Sequence, residues 1–240
     1  MREDGVKVNF GGFVPISTVD WRGRAVCTVF FRGCPADCYY CHNRPIRNGE
    51  DWRNLDEIVA LIRDSRLLIS GVVFSGGEAT MQRKALVRLA EECRTLGLLV
   101  GLHTNGVYPK TLAELLDRHL VDMIALDIKT RFERYDELLG IPATEQVKQS
   151  LALCKEAYLR GDLGSFEVVV TLFPGWEDDV RHIAPHAEGL PLVLQQGVFG
   201  TASPLTRSDL ASIAAPLRRQ VRIRTREEGE VAFGSDPQDG

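Results

Sequence analysis

The feature that most limits how this chain can fold is a repeated alternation. Short, continuous apolar runs end at polar residues, and each is followed by a segment of helical period. The runs cover Ala25 to Phe31, Val72 to Phe74, Leu98 to Leu102, Met123 to Ile128, Phe166 to Thr171 and Leu192 to Gln195. The intervening patterns predict helices over Leu55 to Ser65, Gln82 to Leu96, Leu112 to Leu120, Val147 to Leu159, Asp178 to Ala187 and Leu210 to Leu217. In the first helix Leu55, Ile58, Val59 and Ile62 form one stripe, and Asn54 or Asp56 is placed to cap it. Strands apolar on both faces and separated by helices read as parallel βα units. Periodicity alone does not say whether the sheet closes.

The alternation occupies residues 25–220 as one domain. Residues 1–24 read as an N-terminal lead-in, 221–233 as an added C-terminal edge strand and 234–240 as a disordered tail. With 44% hydrophobic and 26% charged residues the chain is an ordinary globular one, and no apolar run approaches the roughly 18 residues of a membrane helix. The start, Met1 to Gly5, is polar with no signal-peptide core behind it, so a cytoplasmic location is expected. A net charge of −4 argues against general nucleic-acid binding.

Chemistry concentrates after the first strand, in Cys34-Pro35-Ala36-Asp37-Cys38-Tyr39-Tyr40-Cys41. Clustered thiols point to metal and to a reducing compartment rather than to disulfides. Proline and short gaps let the loop fold its thiolates around one point, and thiolates suit iron-sulfur clusters or zinc. A closed zinc site needs four protein ligands, and no fourth sits at finger or ribbon spacing. Three cysteines on a four-iron cubane leave one iron open for an outside ligand. Cys27, Cys93 and Cys154 lie in apolar patterns and read as small buried side chains.

This CxxxCxxC spacing, with Tyr40 as the aromatic before the last cysteine, resembles the signature of the radical S-adenosylmethionine (SAM) enzymes. The resemblance implies a partial (β/α)6 barrel open on one side, and a [4Fe-4S] cluster on Cys34, Cys38 and Cys41. It also implies SAM chelated at the open iron and cleaved to a 5′-deoxyadenosyl radical. Ser75-Gly76-Gly77-Glu78, at a strand end, is similar to the family's motif that contacts the methionyl amine, with Ala79 in place of the usual proline. Thr104-Asn105-Gly106 also matches a family strand end, but His103 stands where aspartate is frequent, which puts a cation site there in doubt.

Asp127 and Lys129 share one face of a strand. Their surroundings, from Ala125 through Tyr135 to Leu138-Leu139-Gly140, resemble the glycyl-radical-enzyme activases, most closely those of the anaerobic ribonucleotide reductase type. The resemblance implies that Asp127 and Lys129 set the ribose and carboxylate end of SAM, with Tyr40 and Asn43 against its adenosine. Asn105 and one of Gln195 and Gln196 complete the expected contacts, Gln195 being the choice. An arginine frequent in the fifth strand of activases is absent: Val169 stands at its place, and the missing charge must come from elsewhere.

The expected function is therefore hydrogen abstraction from a glycine in a large partner protein, with a flavodoxin or ferredoxin-like electron donor and no membrane. Phe30, Phe31, Trp52 and Phe173 are candidates for an aromatic rim that grips the partner peptide, or for ordinary core. A radical SAM enzyme acting on a small molecule, an RNA or another protein site is the alternative. An electron-transfer or structural iron-sulfur protein is the third reading, and it leaves Gly-Gly-Glu and Asp127-x-Lys129 without a task.

Overall fold

The computed structural model describes residues 5–201 and 203–234, so residues 235–240 of the expected tail lie outside the described residues. In chain order the first elements are β1 (Lys7–Ser17), β2 (Val26–Phe31), α1 (Arg44–Arg47), β3 (Trp52–Asn54), α2 (Leu55–Ser65) and β4 (Gly71–Gly76). They are followed by α3 (Arg83–Thr95), β5 (Leu99–Thr104), α4 (Pro109–Asp117), β6 (Met123–Asp127), α5 (Tyr135–Leu139) and α6 (Thr144–Arg160). The last are β7 (Ser165–Leu172), α7 (Glu177–Ile183), β8 (Leu192–Gln196), α8 (Arg207–Ala214), β9 (Val221–Thr225) and β10 (Gly229–Phe233).

All strands join one sheet in the order β10-β9-β8-β7-β6-β5-β4-β2-β1-β3. The stretch from β2 to β9 is parallel throughout, built from consecutive βα units. Antiparallel strands flank it, β10 on one side and β1 with β3 on the other. The two ends of the sheet do not pair with each other, so the barrel is partial and open. β1 lies in the stretch read as a lead-in, and its ladder with β2 shifts register between Phe10 and Gly12 and between Val14 and Ser17. The residues read as a C-terminal edge element contain two strands: β9 lies inside the sheet and β10 takes the edge.

Alternation within each strand sorts side chains to two faces. Val72 and Phe74 share a buried cluster with Ile58 and Ile62 of α2 and Leu86 and Leu89 of α3, which is the helix-covered face. Val73, Met123, Val169 and Val193 turn the other way and gather round Trp21. That face is not uniformly apolar. Glu167 of β7 meets Arg222 and Arg224 of β9 at 2.5 and 2.9 Å, and both arginines meet Glu230 of β10 at 2.9 and 2.6 Å. The two carboxylates balance the Arg222 and Arg224 guanidiniums, with the exposed Arg22 also reaching Glu230 at 3.6 Å, which lets β9 carry arginines on an inward face. Helix starts follow local rules; in α2 the Glu57 carboxylate accepts the Asn54 N–H at 2.9 Å, half of a capping box. Among the described residues no helix is long and apolar enough to cross a membrane.

Burial alone would raise the Glu167 pKa, but the two guanidiniums outweigh it and hold the carboxyl below its ordinary value of 4.5. A depressed carboxyl stabilises the fold fully above its unfolded pKa and loses that contribution as pH falls through the folded value. Glu167→Gln is therefore expected to lower stability near neutral pH by about 3 kcal/mol, because it leaves two guanidiniums short of a charge. Urea unfolding from pH 7 down to 3 would show the variant's stability falling less on acidification than the wild type's.

Candidate active site

The loop after β2 crosses the C-terminal end of the parallel strands and is pinned by backbone bonds. Gly33 N–H donates to the Ile46 carbonyl at 2.9 Å, Cys34 N–H to Arg47 at 3.0 Å and Asp37 N–H to Leu139 at 2.9 Å. Arg47 also pairs with Asp37. Thus α1 and α5 hold the loop that carries Cys34, Cys38 and Cys41, and all three line one cavity of about 260 Å³. Three thiols lining one cavity suit a cubane, which takes one thiolate on each of three irons. Burial raises the Cys34 thiol to about 11 and raises Cys38 as well. The Asn105 amide donates to Cys34 Sγ at 3.7 Å, a contact that suits a thiolate.

Gly76 and Gly77 end β4 directly beneath this loop. Gly77 N–H donates to the Phe31 carbonyl and Glu78 N–H to the Gly33 carbonyl, both at 2.8 Å. A Cβ on Gly77 would overlap the Gly33 carbonyl oxygen, and Gly76 has φ of +122°, where side chains are strained. The resemblance implies that these glycines contact the methionyl amine. They are also the room that two backbones need to touch. Asn43 adds a side-chain bond to the Gly76 carbonyl at 2.9 Å. Glu78 is buried and its oxygens are committed to protein donors: Thr80 N–H at 3.1 Å, the Thr80 hydroxyl at 2.5 Å, the Thr104 hydroxyl at 2.7 Å and Asn105 N–H at 2.8 Å. Burial raises its pKa, and these bonds oppose the rise.

Across the cavity Lys129 Nζ lies 2.5 Å from Asp127 Oδ2. Burial alone would lower the lysine's pKa, but the adjacent carboxylate holds it well above its ordinary value. Tyr135, fully buried in α5, fixes the strand end by accepting Lys129 N–H at 3.3 Å and donating to the Asp127 carbonyl at 3.4 Å. Two buried polar atoms in this wall, Asp127 Oδ1 and the Tyr40 hydroxyl, have no partner among the described residues. Groups of that kind are normally satisfied, so the cavity is shaped for a ligand with polar atoms of its own.

All of the residues predicted for the site, from Cys34, Cys38 and Cys41 to Gln195, line this single cavity. His103 lines it too, with Nε2 at 2.8 Å from the Asp20 carbonyl, and burial lowers its pKa so that it stays neutral. Of the two glutamines Gln195 faces inward, whereas Gln196 is buried and bonded to the Leu205 carbonyl at 2.9 Å and Arg226 N–H at 3.1 Å. Ser75 of the same motif belongs to the lining, as does Thr171, which nothing in the apolar run of β7 singles out. Of the aromatic candidates Phe31 and Phe173 are core, and Trp52 is exposed on β3. The rim beside the cluster loop is instead Tyr39, Trp176 and Phe199, with ring centroids 6.3 and 5.2 Å from Tyr39. Tyr39 and Phe199 are 46% and 44% exposed, so this rim meets solvent.

Residues 28–184, more than half of the chain, match the radical SAM superfamily, and the chain belongs to it. That membership makes it an oxidoreductase of this class. Within the superfamily it is related to the activating enzymes of glycyl-radical proteins. A Methanocaldococcus jannaschii protein, named as a candidate glycyl-radical enzyme activating enzyme, is 31% identical over 157 residues, covering 63% of this chain and 65% of the relative. That match spans just under two thirds of the relative's length. The pyruvate formate-lyase 1-activating enzyme of Escherichia coli K12 is 29% identical over 177 residues, 70% of this chain and 68% of the relative. Among solved structures a radical SAM methyltransferase from Sphaerobacter thermophilus superposes with a TM-score of 0.69 at 16% identity, covering 86% of this chain and 68% of that one. Archaeal TYW1 superposes with 0.59 at 14% identity, covering 87% and 78%. At such identities the likeness is one of fold, an open, partial barrel.

Glu78 offers a test that needs no cofactor. Glu78→Gln replaces an acceptor with an N–H2 group facing donors, and the expected loss is about 2–3 kcal/mol. Urea unfolding of the metal-free protein measures it; a loss below about 0.5 kcal/mol would show that the carboxylate does not brace the β4 and β5 strand ends.

Proposed function

We propose that this chain reductively cleaves SAM at a [4Fe-4S] cluster and abstracts hydrogen from a glycine of a large partner, as a glycyl-radical-enzyme activase. One observation carries the reading: three cysteines, the Gly76-Gly77 turn and the Asp127–Lys129 pair share one cavity, in which Asp127 Oδ1 and the Tyr40 hydroxyl lack partners among the described residues. The donor set fits the cofactors. Cys34, Cys38 and Cys41 would hold the cluster, and the cavity beside them would take the cofactor. When bound, the cluster supplies an electron to the sulfonium, giving methionine and the 5′-deoxyadenosyl radical that takes the hydrogen.

The chain's own part is placement. Gly76 and Gly77 bring backbone groups to the amine, and Glu78 keeps that turn locked to Asn105. Asp127 Oδ1 accepts from a ribose hydroxyl, Lys129 meets the carboxylate, and Tyr40 with Asn43 flanks the adenosine. Asn105 braces Cys34, and Gln195 closes the opposite wall. The exposed rim of Tyr39, Trp176 and Phe199 suits an extended peptide better than a small solute. The Methanocaldococcus jannaschii relative supports a glycyl-radical partner, and the resemblance of the residues around Asp127 and Lys129 favours the anaerobic ribonucleotide reductase type. A flavodoxin or ferredoxin-like protein would supply the electron.

Anaerobic reconstitution is expected to give about four irons per chain, and Cys34→Ala, Cys38→Ala or Cys41→Ala should each abolish the cluster absorbance. A requirement for Cys27, Cys93 or Cys154 would overturn the ligand assignment. Lys129→Ala should keep the cluster and bind SAM at least about tenfold more weakly, since a charge-assisted bond is lost. Substrate class is read by incubating the holoenzyme and SAM with a partner protein deuterated at glycine. Deuterium in 5′-deoxyadenosine supports the activase reading; transfer only from a small molecule or RNA would replace it.

A further inference from the structure

The neutral Val169 leaves the β7 side of the cavity without a charge of its own. The neighbouring strands supply one. In register, Asp127 of β6 pairs with Val169 of β7, Thr171 of β7 with Gln195 of β8, and Gln195 with Arg224 of β9. Lys129 and Thr171 each follow the Asp127–Val169 pair by two residues. Thr171, Gln195 and Arg224 therefore form one row across β7, β8 and β9, and Lys129, just past the end of β6, lines the same cavity as Thr171 and Gln195.

The hydrogen bonds along the row run in one direction. Arg224 Nη1 donates to Gln195 Oε1 at 3.2 Å, and Gln195 Nε2 donates to Thr171 Oγ1 at 3.3 Å. A guanidinium can only donate, so it decides which end of the Gln195 amide faces it. The amide nitrogen must then face Thr171, whose oxygen accepts and whose O–H remains free to donate. Gln195 keeps a second N–H, and Lys129 keeps two beyond the one on Asp127. Thr171, Gln195 and Lys129 all line the cavity. This wall thus offers the free hydrogens of Thr171, Gln195 and Lys129 with a guanidinium behind it, while the buried Asp127 Oδ1 has no partner among the described residues.

Resting on the cofactor reading above, the geometry points to Thr171 and Gln195 as ligands, with Lys129, for the carboxylate of SAM, and to Arg224 as the positioning residue that orients Gln195. The carboxylate is the cofactor's one anionic group, and it suits donors backed by the Lys129 ammonium and the Arg224 guanidinium; the ribose hydroxyls can donate and suit Asp127 instead. Glu167 and Glu230 hold Arg224 in place, so the salt-bridged group on the inner face acts on the cavity through a single amide.

The test measures binding of SAM and of decarboxylated SAM to the reconstituted holoenzyme by equilibrium dialysis, each variant referred to wild type. Gln195→Glu keeps a partner for Arg224 but removes the donor, and Thr171→Val removes the hydroxyl at nearly constant volume. Each is expected to weaken SAM by about tenfold or more and decarboxylated SAM by less than about twofold, at unchanged melting temperature and cluster absorbance. Arg224→Lys, which keeps the charge, should retain more SAM affinity than Arg224→Met. Unchanged SAM affinity in both Gln195→Glu and Thr171→Val, or equal losses for the two ligands, would overturn the assignment while leaving the cofactor reading intact. A wild-type holoenzyme that binds no SAM would overturn the cofactor reading itself.

Discussion

The site depends on one backbone contact, the seating of Gly76-Gly77-Glu78 against the start of the cysteine loop. Two amide bonds, Gly77 to Phe31 and Glu78 to Gly33, join the ends of β4 and β2. The Glu78 carboxylate then extends the join to β5 by taking Thr104 and Asn105, and Asn105 reaches Cys34. Three strand ends and the cysteine loop become one rigid unit in this way. No residue larger than glycine fits at position 77, since a side chain there would meet the Gly33 carbonyl.

A second unit faces it. The end of β6, held by Tyr135, carries the Asp127–Lys129 pair, and α5 also receives the cysteine loop through Leu139. The short helix Tyr135–Leu139 thus sets the distance between the thiols and the ion pair. The electrostatics divide along the same line. The β4–β5 side is a buried carboxylate surrounded by donors, and the β7–β9 side is a chain of donors ending on a guanidinium.

Much of this was legible because it is local. The stripe and cap of Leu55 to Ser65 need only eleven residues to declare a helix, and the apolar runs ended where polar residues had to face a cavity. What escaped was non-local. Gly11, Gly12 and Pro15 blur the alternation of β1, whose ladder partners in β2 lie well along the chain. Glu78 reads as a ligand contact until Thr80, Thr104 and Asn105 are seen around it. The arginines of Val221 to Thr225 read as a solvated edge, because nothing near them in sequence announces Glu167 across the sheet. A single glutamate in an otherwise apolar strand was the available signal, since a buried charge of that kind needs a partner.

An open barrel leaves two rims of unpaired backbone donors and acceptors in water, and such rims recruit other chains into fibrils and amorphous aggregates. Here both ends are poor templates. β3 is only three residues long and carries Arg53 at its centre, and the strand behind it, β1, is kinked by its two register shifts. At the far rim β10 holds Glu230 turned inward on two arginines, so a strand slipping by one residue would bring a charge to the wrong face. The gap that keeps the cavity reachable is thereby kept from nucleating insoluble material when the protein is crowded.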